Sequence, residues 1–414
     1  MISYISMDSL VQILQFPASL LLAVAFLLAA FCLCHYAGSN SIVKAFGSLL
    51  IARILVAIGA IILAIEGTWS IPLHRSYAFL FFALLLLFAL TTTIYNGFMR
   101  KAKPGFMLNH IGIYLIIWAA LFGSPDVSRS RMIVGYGQPQ KMAYSSDGTV
   151  ISLPFEVTLS DFRIDYYPDS ISPRQFTSDI MVDGKAMSVS VNNPCSAQGY
   201  TLYQDSYDWE ALQYTVLQVV SDPWLPVVFL GMTLLALGSV LLLFGRWKAR
   251  FVIPVTLLLT IVFTMLTVAK INFGTLMPAL RSWWFVPHLF IYMIAYSLMA
   301  VALVIWIAAS LKKRESWQTL SDNLVRSSSA LLIIGMLTGS VWARQAWGDY
   351  WAWDAKENWA AVTWLVTLMH LHLKDKSGWK AITILILAFL ALQITWYGVN
   401  YLPSAINSLH TYNS

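Results

Sequence analysis

Long apolar runs recur along almost the whole chain, at about 14–35, 45–65, 77–98, 108–123, 224–245, 251–269, 285–311, 328–343, 357–373 and 381–400. Crossing a bilayer as a helix takes roughly 20 apolar residues, so the pattern predicts about ten transmembrane helices. One long stretch breaks it. Residues 124–222 are polar and carry period-two alternation at 149–159 and 187–191, with an Asp183-Gly184 pair suited to a hairpin turn. The expected fold is an all-α polytopic membrane helix bundle with a small β-rich extracytoplasmic domain after its fourth helix.

Composition agrees: 58% of the 414 residues are hydrophobic and 11% charged, too much apolar surface for one soluble core. The formal charge of +6 is no nucleic-acid signal, because the basic residues cluster beside apolar runs as orientation determinants do. Arg100, Lys101 and Lys103 follow the third run; Arg246, Lys248 and Arg250 the fifth; Lys312, Lys313 and Arg314 the seventh; Lys374, Lys376 and Lys380 flank the ninth and tenth. With all four clusters cytoplasmic the spans alternate without contradiction, and 124–222 lies outside. MISYISMDSLVQ lacks the basic start and cleavage site of a secretory signal, so 14–35 reads as a retained span. Cys32, Cys34 and Cys195 form neither a disulfide framework nor a CxxC pair.

Candidate chemistry concentrates at 347–359, WGDYWAWDAKENW, where four tryptophans share thirteen positions. An aromatic belt explains a single Trp at a membrane surface. It explains poorly a cluster interleaved with Asp349, Asp354, Lys356 and Glu357. A flat apolar platform edged by charges suits a large planar ligand with ionised edges, such as a porphyrin. Of the seven histidines, His288 and His410 fall near the outer surface and His110 and His372 near the cytoplasmic one, and paired imidazoles are the common axial ligands of heme iron. His370 competes with His372, since residues two apart on a helix point about 200° apart. Taken singly, each of these is as well read as a solvated interfacial histidine, and His35 and His74 are kept so. Arg53 and Glu66, costly in lipid, are expected to face the bundle interior.

WGDYWAWDAKENWAAVTWLVTLMHLH (347–372) resembles the tryptophan-rich WWD motif and following helix of CcsA in the system II cytochrome c synthases, where a ResB-like (CcsB) part and a CcsA (ResC) part may be fused. WWFVPHLFIYMIAYSL (283–298) and GVN (398–400) with LHTY (409–412) look like that family's external histidine segments. LNHIGIYLIIWAALFGSPD, DFRIDYYPD, SVNNPCSAQGYTLYQDSYD and DPWLPVVFLGMTLLALGSVLLLF are similar to ResB. The family usually has Pro where Ala355 stands, and the chain is short for a fused synthase.

The resemblance implies a ResB-like membrane part at 1–123, the outer domain at 124–222, a last ResB-like helix at 223–250 and a CcsA-like heme-handling part at 251–414. It implies heme iron held by His288 and His410 externally and by His110 and His372 internally, which chooses His372 over His370. The platform would comprise Trp347, Gly348, Tyr350, Trp351, Trp353, Asp354, Lys356, Glu357 and Trp359. The implied activity is that of a cytochrome c heme lyase in a bacterial inner membrane. Heme b would be attached through thioether bonds to the CxxCH cysteines of an apocytochrome c on the periplasmic side, with thiol-reducing proteins as further partners. A heme exporter feeding a separate ligase, and a b-type electron-transfer cytochrome, are the alternatives.

Overall fold

The computed structural model describes residues 15–168, 170–243, 252–268 and 275–407. Before the polar region come α1 (Ala18–Tyr36), a short α2 (Ser41–Phe46), α3 (Leu49–Trp69), α4 (Tyr77–Met99) and α5 (Pro104–Gly123). After it come α6 (Leu225–Leu243), α7 (Val252–Val268), α8 (Phe285–Lys312), α9 (Glu315–Trp347), α10 (Ala355–Leu371) and α11 (Trp379–Trp396). Every expected apolar run therefore holds a helix. Among the described residues, eight helices are long and apolar enough to cross a membrane, while α7 and α10 have 17 residues each. The chain is a multi-pass membrane protein.

One helix is much longer than its apolar run: α9 begins at Glu315, where hydropathy alone expects a start near 328. The reason is that its early serines are buried against α8. Ser321 and Ser328 donate to the carbonyls of Ala302 and Ala295, each at 2.8 Å. Small hydroxyl residues let two helices approach closely and satisfy themselves on the neighbour's backbone, so they pack as core although they score as polar. Tyr292, Met293, Leu298, Met299, Leu324 and Leu332 fill the rest of this central α8–α9 seam.

Among the described residues, eight strands form one antiparallel sheet: β1 (Ser128–Gly135), β2 (Gln140–Ser145), β3 (Val150–Tyr166), β4 (Pro173–Val182), β5 (Lys185–Ser190), β6 (Cys195–Ala197), β7 (Tyr200–Tyr207) and β8 (Tyr214–Ser221). Their order is β5-β4-β3-β2-β1-β8-β7-β6. Asp183 and Gly184, with φ of 48° and 79°, make the expected two-residue turn. Met132, Phe155, Leu159, Ile180, Leu202 and Leu217 are buried on its inner face. The sheet curls on itself, so Ser178 of β4 donates to Gln204 Oε1 of β7 at 2.6 Å and reaches Thr215 of β8 at 2.8 Å.

The sheet leaves the end of α5 and returns to the start of α6, so it caps one end of the bundle. Asp126 clamps this junction, accepting from Phe16 N, Ser19 Oγ and Trp224 Nε1, each at 2.6 Å. The same end holds the α3–α4, α7–α8 and α9–α10 connections. Arg100, Lys101, Lys103, Lys313 and Lys374 lie in connections at the other end, and Lys312 ends α8 there. Helix α3 does not pack chiefly on its sequence neighbours. It lies along α10, where Gly67 allows a close approach: a Cβ there would sit 2.9 Å from Asn358 Cβ.

Candidate functional site

The tryptophan-rich segment forms the sharp connection between α9 and α10 at the sheet end. Gly348 ends α9 in a left-handed conformation at φ +85°, pressed against Tyr203 and Val220 of the sheet. Asp354 opens α10 by accepting from Lys356 N at 2.8 Å. Glu357 closes the capping box, its Oε2 accepting from Asp354 N at 3.2 Å and Ala352 N at 2.7 Å. These two carboxylates thus build the loop. Trp347, Trp351, Trp353 and Trp359 are all half-buried on it, as are Lys356 and Tyr350.

The sheet grips this loop directly. Arg129 of β1 pairs with Asp349, and the buried Arg344 lies between the rings of Tyr203 (5.7 Å) and Tyr350 (5.4 Å) while donating to Gly348 O. Burial pushes the hydroxyls of Tyr203 and Tyr350 up, so both stay protonated at neutral pH. The hydroxyl of Tyr350 and the indole N–H of Trp359 are buried without a hydrogen-bond partner in the structure, the latter on the edge that faces Gly67 of α3.

His288, in the first turn of α8, donates from Nδ1 to Gly335 O of α9 at 2.8 Å, because a carbonyl can only accept. In the neutral ring the lone pair then sits on Nε2. Its centroid is 6.0 Å from that of Trp342, which is 5.5 Å from Trp347, so an aromatic chain runs from His288 to the loop. His410 lies outside the described residues.

At the opposite end His110 and His372 are near enough to interact electrostatically. Each is half-buried and donates from Nδ1 to the carbonyl four residues earlier, Phe106 O at 2.8 Å and Leu368 O at 2.7 Å. Both therefore keep the lone pair on Nε2. His370 differs: it is fully buried, with Nδ1 on Ala381 O (3.2 Å) and Nε2 on Asp322 (3.1 Å), which also binds Lys376. Both its nitrogens are engaged, as befits a brace between α9, α10 and α11.

Sequence reasoning missed His74. Its ring lies flat on Trp353, 4.2 Å between centroids and 6° between planes, and bonds to the buried Glu66. Glu66 was the available signal, since a carboxylate in an apolar span needs a partner. Arg53, expected inside, is half-exposed and donates to Leu49 O of its own helix.

The chain thus combines a helical membrane bundle, a tryptophan-lined loop beneath a β domain and two neighbouring histidines at the far end. Residues 224–407 match the family described as Cytochrome C assembly protein, and residues 97–212 match the ResB-like family. Among curated relatives, the cytochrome c biogenesis protein CcsA of Chlamydomonas reinhardtii is 33% identical over 33% of this chain and 44% of its own. That of Guillardia theta is 32% identical over 32% and 56%, and that of Mesostigma viride 31% over 38% and 65%. The chain spans about half the length of these relatives. It joins a ResB-like part to a CcsA-like part, in the manner of a fused system II protein.

Proposed function

We propose that this protein works in cytochrome c biogenesis: it receives heme b between His110 and His372, relays it to the tryptophan loop, and attaches it there to an apocytochrome c carrying CxxCH. The observation that carries the reading is the state of His110 and His372. They come from different helices to one end of the bundle, and each has its Nδ1 tied to its own backbone. Two imidazoles presenting Nε2 suit an iron with two axial positions. His288 has the same Nδ1 anchor, and His410 is its counterpart by resemblance.

At the loop, Trp347, Trp351, Trp353 and Trp359 offer ring faces to a porphyrin, Lys356 a cation for a propionate, and Tyr350 and Trp359 donors. Gly348, Asp354 and Glu357 hold the loop in shape. With heme as substrate, each cysteine thiol adds across a vinyl group: sulfur bonds one vinyl carbon and the thiol hydrogen ends on the other. No oxidant is consumed, but both cysteines must arrive reduced, which is the part of a thiol-reducing partner. The chain's own contribution is orientation. Basic clusters at the far end fit a cytoplasmic face there, with the sheet and loop on the periplasmic side of a bacterial inner membrane.

The test is the heme spectrum of the detergent-purified chain beside the double variants His110→Ala/His372→Ala and His288→Ala/His410→Ala, each with and without imidazole. Loss of the low-spin signal, regained with imidazole, is expected for each pair; an unchanged spectrum in both refutes the reading. Co-production with an apocytochrome in a host without its own maturation system is expected to yield covalent cytochrome c. Bound heme without that product would mark an exporter. Two hemes held permanently and reduced by quinol would mark an electron-transfer cytochrome.

A further inference from the structure

We propose that Glu66 and His74 are positioning residues of the tryptophan loop, so that the end of α3 and the turn after it, which precede both family matches, form part of the site. The proposal rests on reading the loop as a porphyrin platform. His74 sits in the tight turn Leu73–Arg75 between α3 and α4. Its ring covers one face of Trp353 at 4.2 Å and 6°, while Phe79 of α4 and Trp351 stand edge-on to the same indole at 83° and 88°. The plane of Trp353 is thereby fixed from three directions, and a macrocycle can stack only on its other face.

Trp353 needs such support. Its φ of 58° lies in the left-handed region, which L side chains other than Asn and Asp seldom adopt, and such conformations persist where surrounding contacts hold them. Asn358 Nδ2 donating to Trp353 O at 2.9 Å holds its backbone, and the His74 stack with the Phe79 and Trp351 rings holds its side chain. The imidazole is itself held rigidly. Glu66, 3% exposed, accepts from the His74 backbone N–H at 3.2 Å and from its Nδ1. Nε2 faces Arg75 Nε at 3.3 Å. Both ring nitrogens are therefore engaged, which distinguishes His74 from His110 and His372 and makes it a support for the platform, not an iron ligand.

The arrangement depends on α3 reaching α10. A side chain at Gly67 would collide with Asn358 and Trp359, and Ser404 Oγ donates to Gly67 O at 2.6 Å from the far side. The carboxylate, the imidazole and the indole thus come from three segments locked at one point.

The experiment titrates limiting heme into the full detergent-purified chain carrying His74→Ala, His74→Leu, His74→Phe or Glu66→Gln. His288→Ala serves as reference, and all are read with and without imidazole. A stacking partner contributes enough that His74→Ala and His74→Leu are expected to weaken the His288-dependent heme roughly five- to tenfold. Imidazole should not restore it, since no ligand was removed. His74→Phe keeps a flat ring but leaves Glu66 without its Nδ1 donor, so it is expected to bind more tightly than His74→Leu and less tightly than the wild type, whereas His288→Ala is rescued by imidazole. Equal binding by His74→Leu and His74→Phe, or rescue of His74→Ala by imidazole, overturns the proposal. If His288→Ala itself changes nothing, the platform reading fails; if only the His74 and Glu66 variants are silent, the proposal fails alone. Gel filtration monitors folding, and where His74→Ala aggregates the Leu–Phe comparison decides.

Discussion

His288 stands on α8, but its place is set by α9, and removing nothing but space tests that. The ring donates to Gly335 O at 2.8 Å, and one turn later Gly339 leaves room for it. A Cβ built on Gly339 would lie 2.6 Å from His288 Cε1 and 2.7 Å from Nδ1. Those are atoms of a ring already anchored to backbone, so Gly339→Ala must swing the imidazole off its acceptor. Losing the hydrogen bond costs about 0.5–1.5 kcal/mol and forcing in a methyl group about 1–3 kcal/mol. Replacing Gly by Ala inside a helix returns roughly 0.5–1 kcal/mol. The expected net loss is about 1–3 kcal/mol. Gly335→Ala is the control: the atoms nearest its Cβ would be those of the Tyr292 ring, at 3.1–3.3 Å, a contact relieved by a shift of a few tenths of an ångström. The assays are thermal unfolding in detergent and the heme spectrum. Gly339→Ala should lower both the midpoint and the low-spin signal although every histidine is kept, while Gly335→Ala should change little. A Gly339→Ala protein as stable as the wild type with an unchanged spectrum would refute the role given to this contact.

Asp354→Ala should cost about 1 kcal/mol through the lost helix cap, whereas Asp354→Asn, an equally good cap, should restore stability. Heme binding that follows charge instead of capping would make Asp354 a direct ligand contact. His370→Ala should destabilise the fold by about 1–3 kcal/mol in thermal unfolding and leave the heme spectrum intact, because both its nitrogens serve the brace to Asp322 and Ala381. His372→Ala should do the reverse. Burial pushes the Cys195 thiol to about 11, so at pH 8 it stays protonated in the fold. Its alkylation by iodoacetamide should then be roughly a hundredfold slower than in the urea-unfolded chain, and should accelerate as pH rises towards 11. Equal rates at pH 8 would show that β6 opens freely.

What could be read in advance was local. Apolar runs place the helices because each must be lipid-compatible by itself, and Asp183-Gly184 sets its turn because two positive φ angles are required there. The first half of α9 was hidden because Ser321 and Ser328 are buried by another helix's carbonyls, which no window of sequence contains. His370 and His372 could not be separated by periodicity, and what separates them is Asp322 and Ala381, partners on other helices. His74 was illegible for the same reason. Nothing near it announces that α3 crosses to α10, and only Glu66, buried in an otherwise apolar span, hinted that an unseen partner was required.

These non-local contacts converge on one short loop. A connection of a few residues between α9 and α10, rich in flat side chains and containing a left-handed tryptophan, has little regular backbone bonding of its own. Its shape must come from outside. The sheet supplies Arg129 and Tyr203, α8 supplies the contact chain through Trp342, and the turn after α3 supplies His74. Most of those supports lie before residue 224, where the cytochrome c assembly match begins, while the tryptophans lie within it. Carrying both in one chain keeps the supports at high effective concentration beside the loop they hold. A ligand met by such a loop finds its aromatic faces already oriented, and spends less of its binding energy on ordering them.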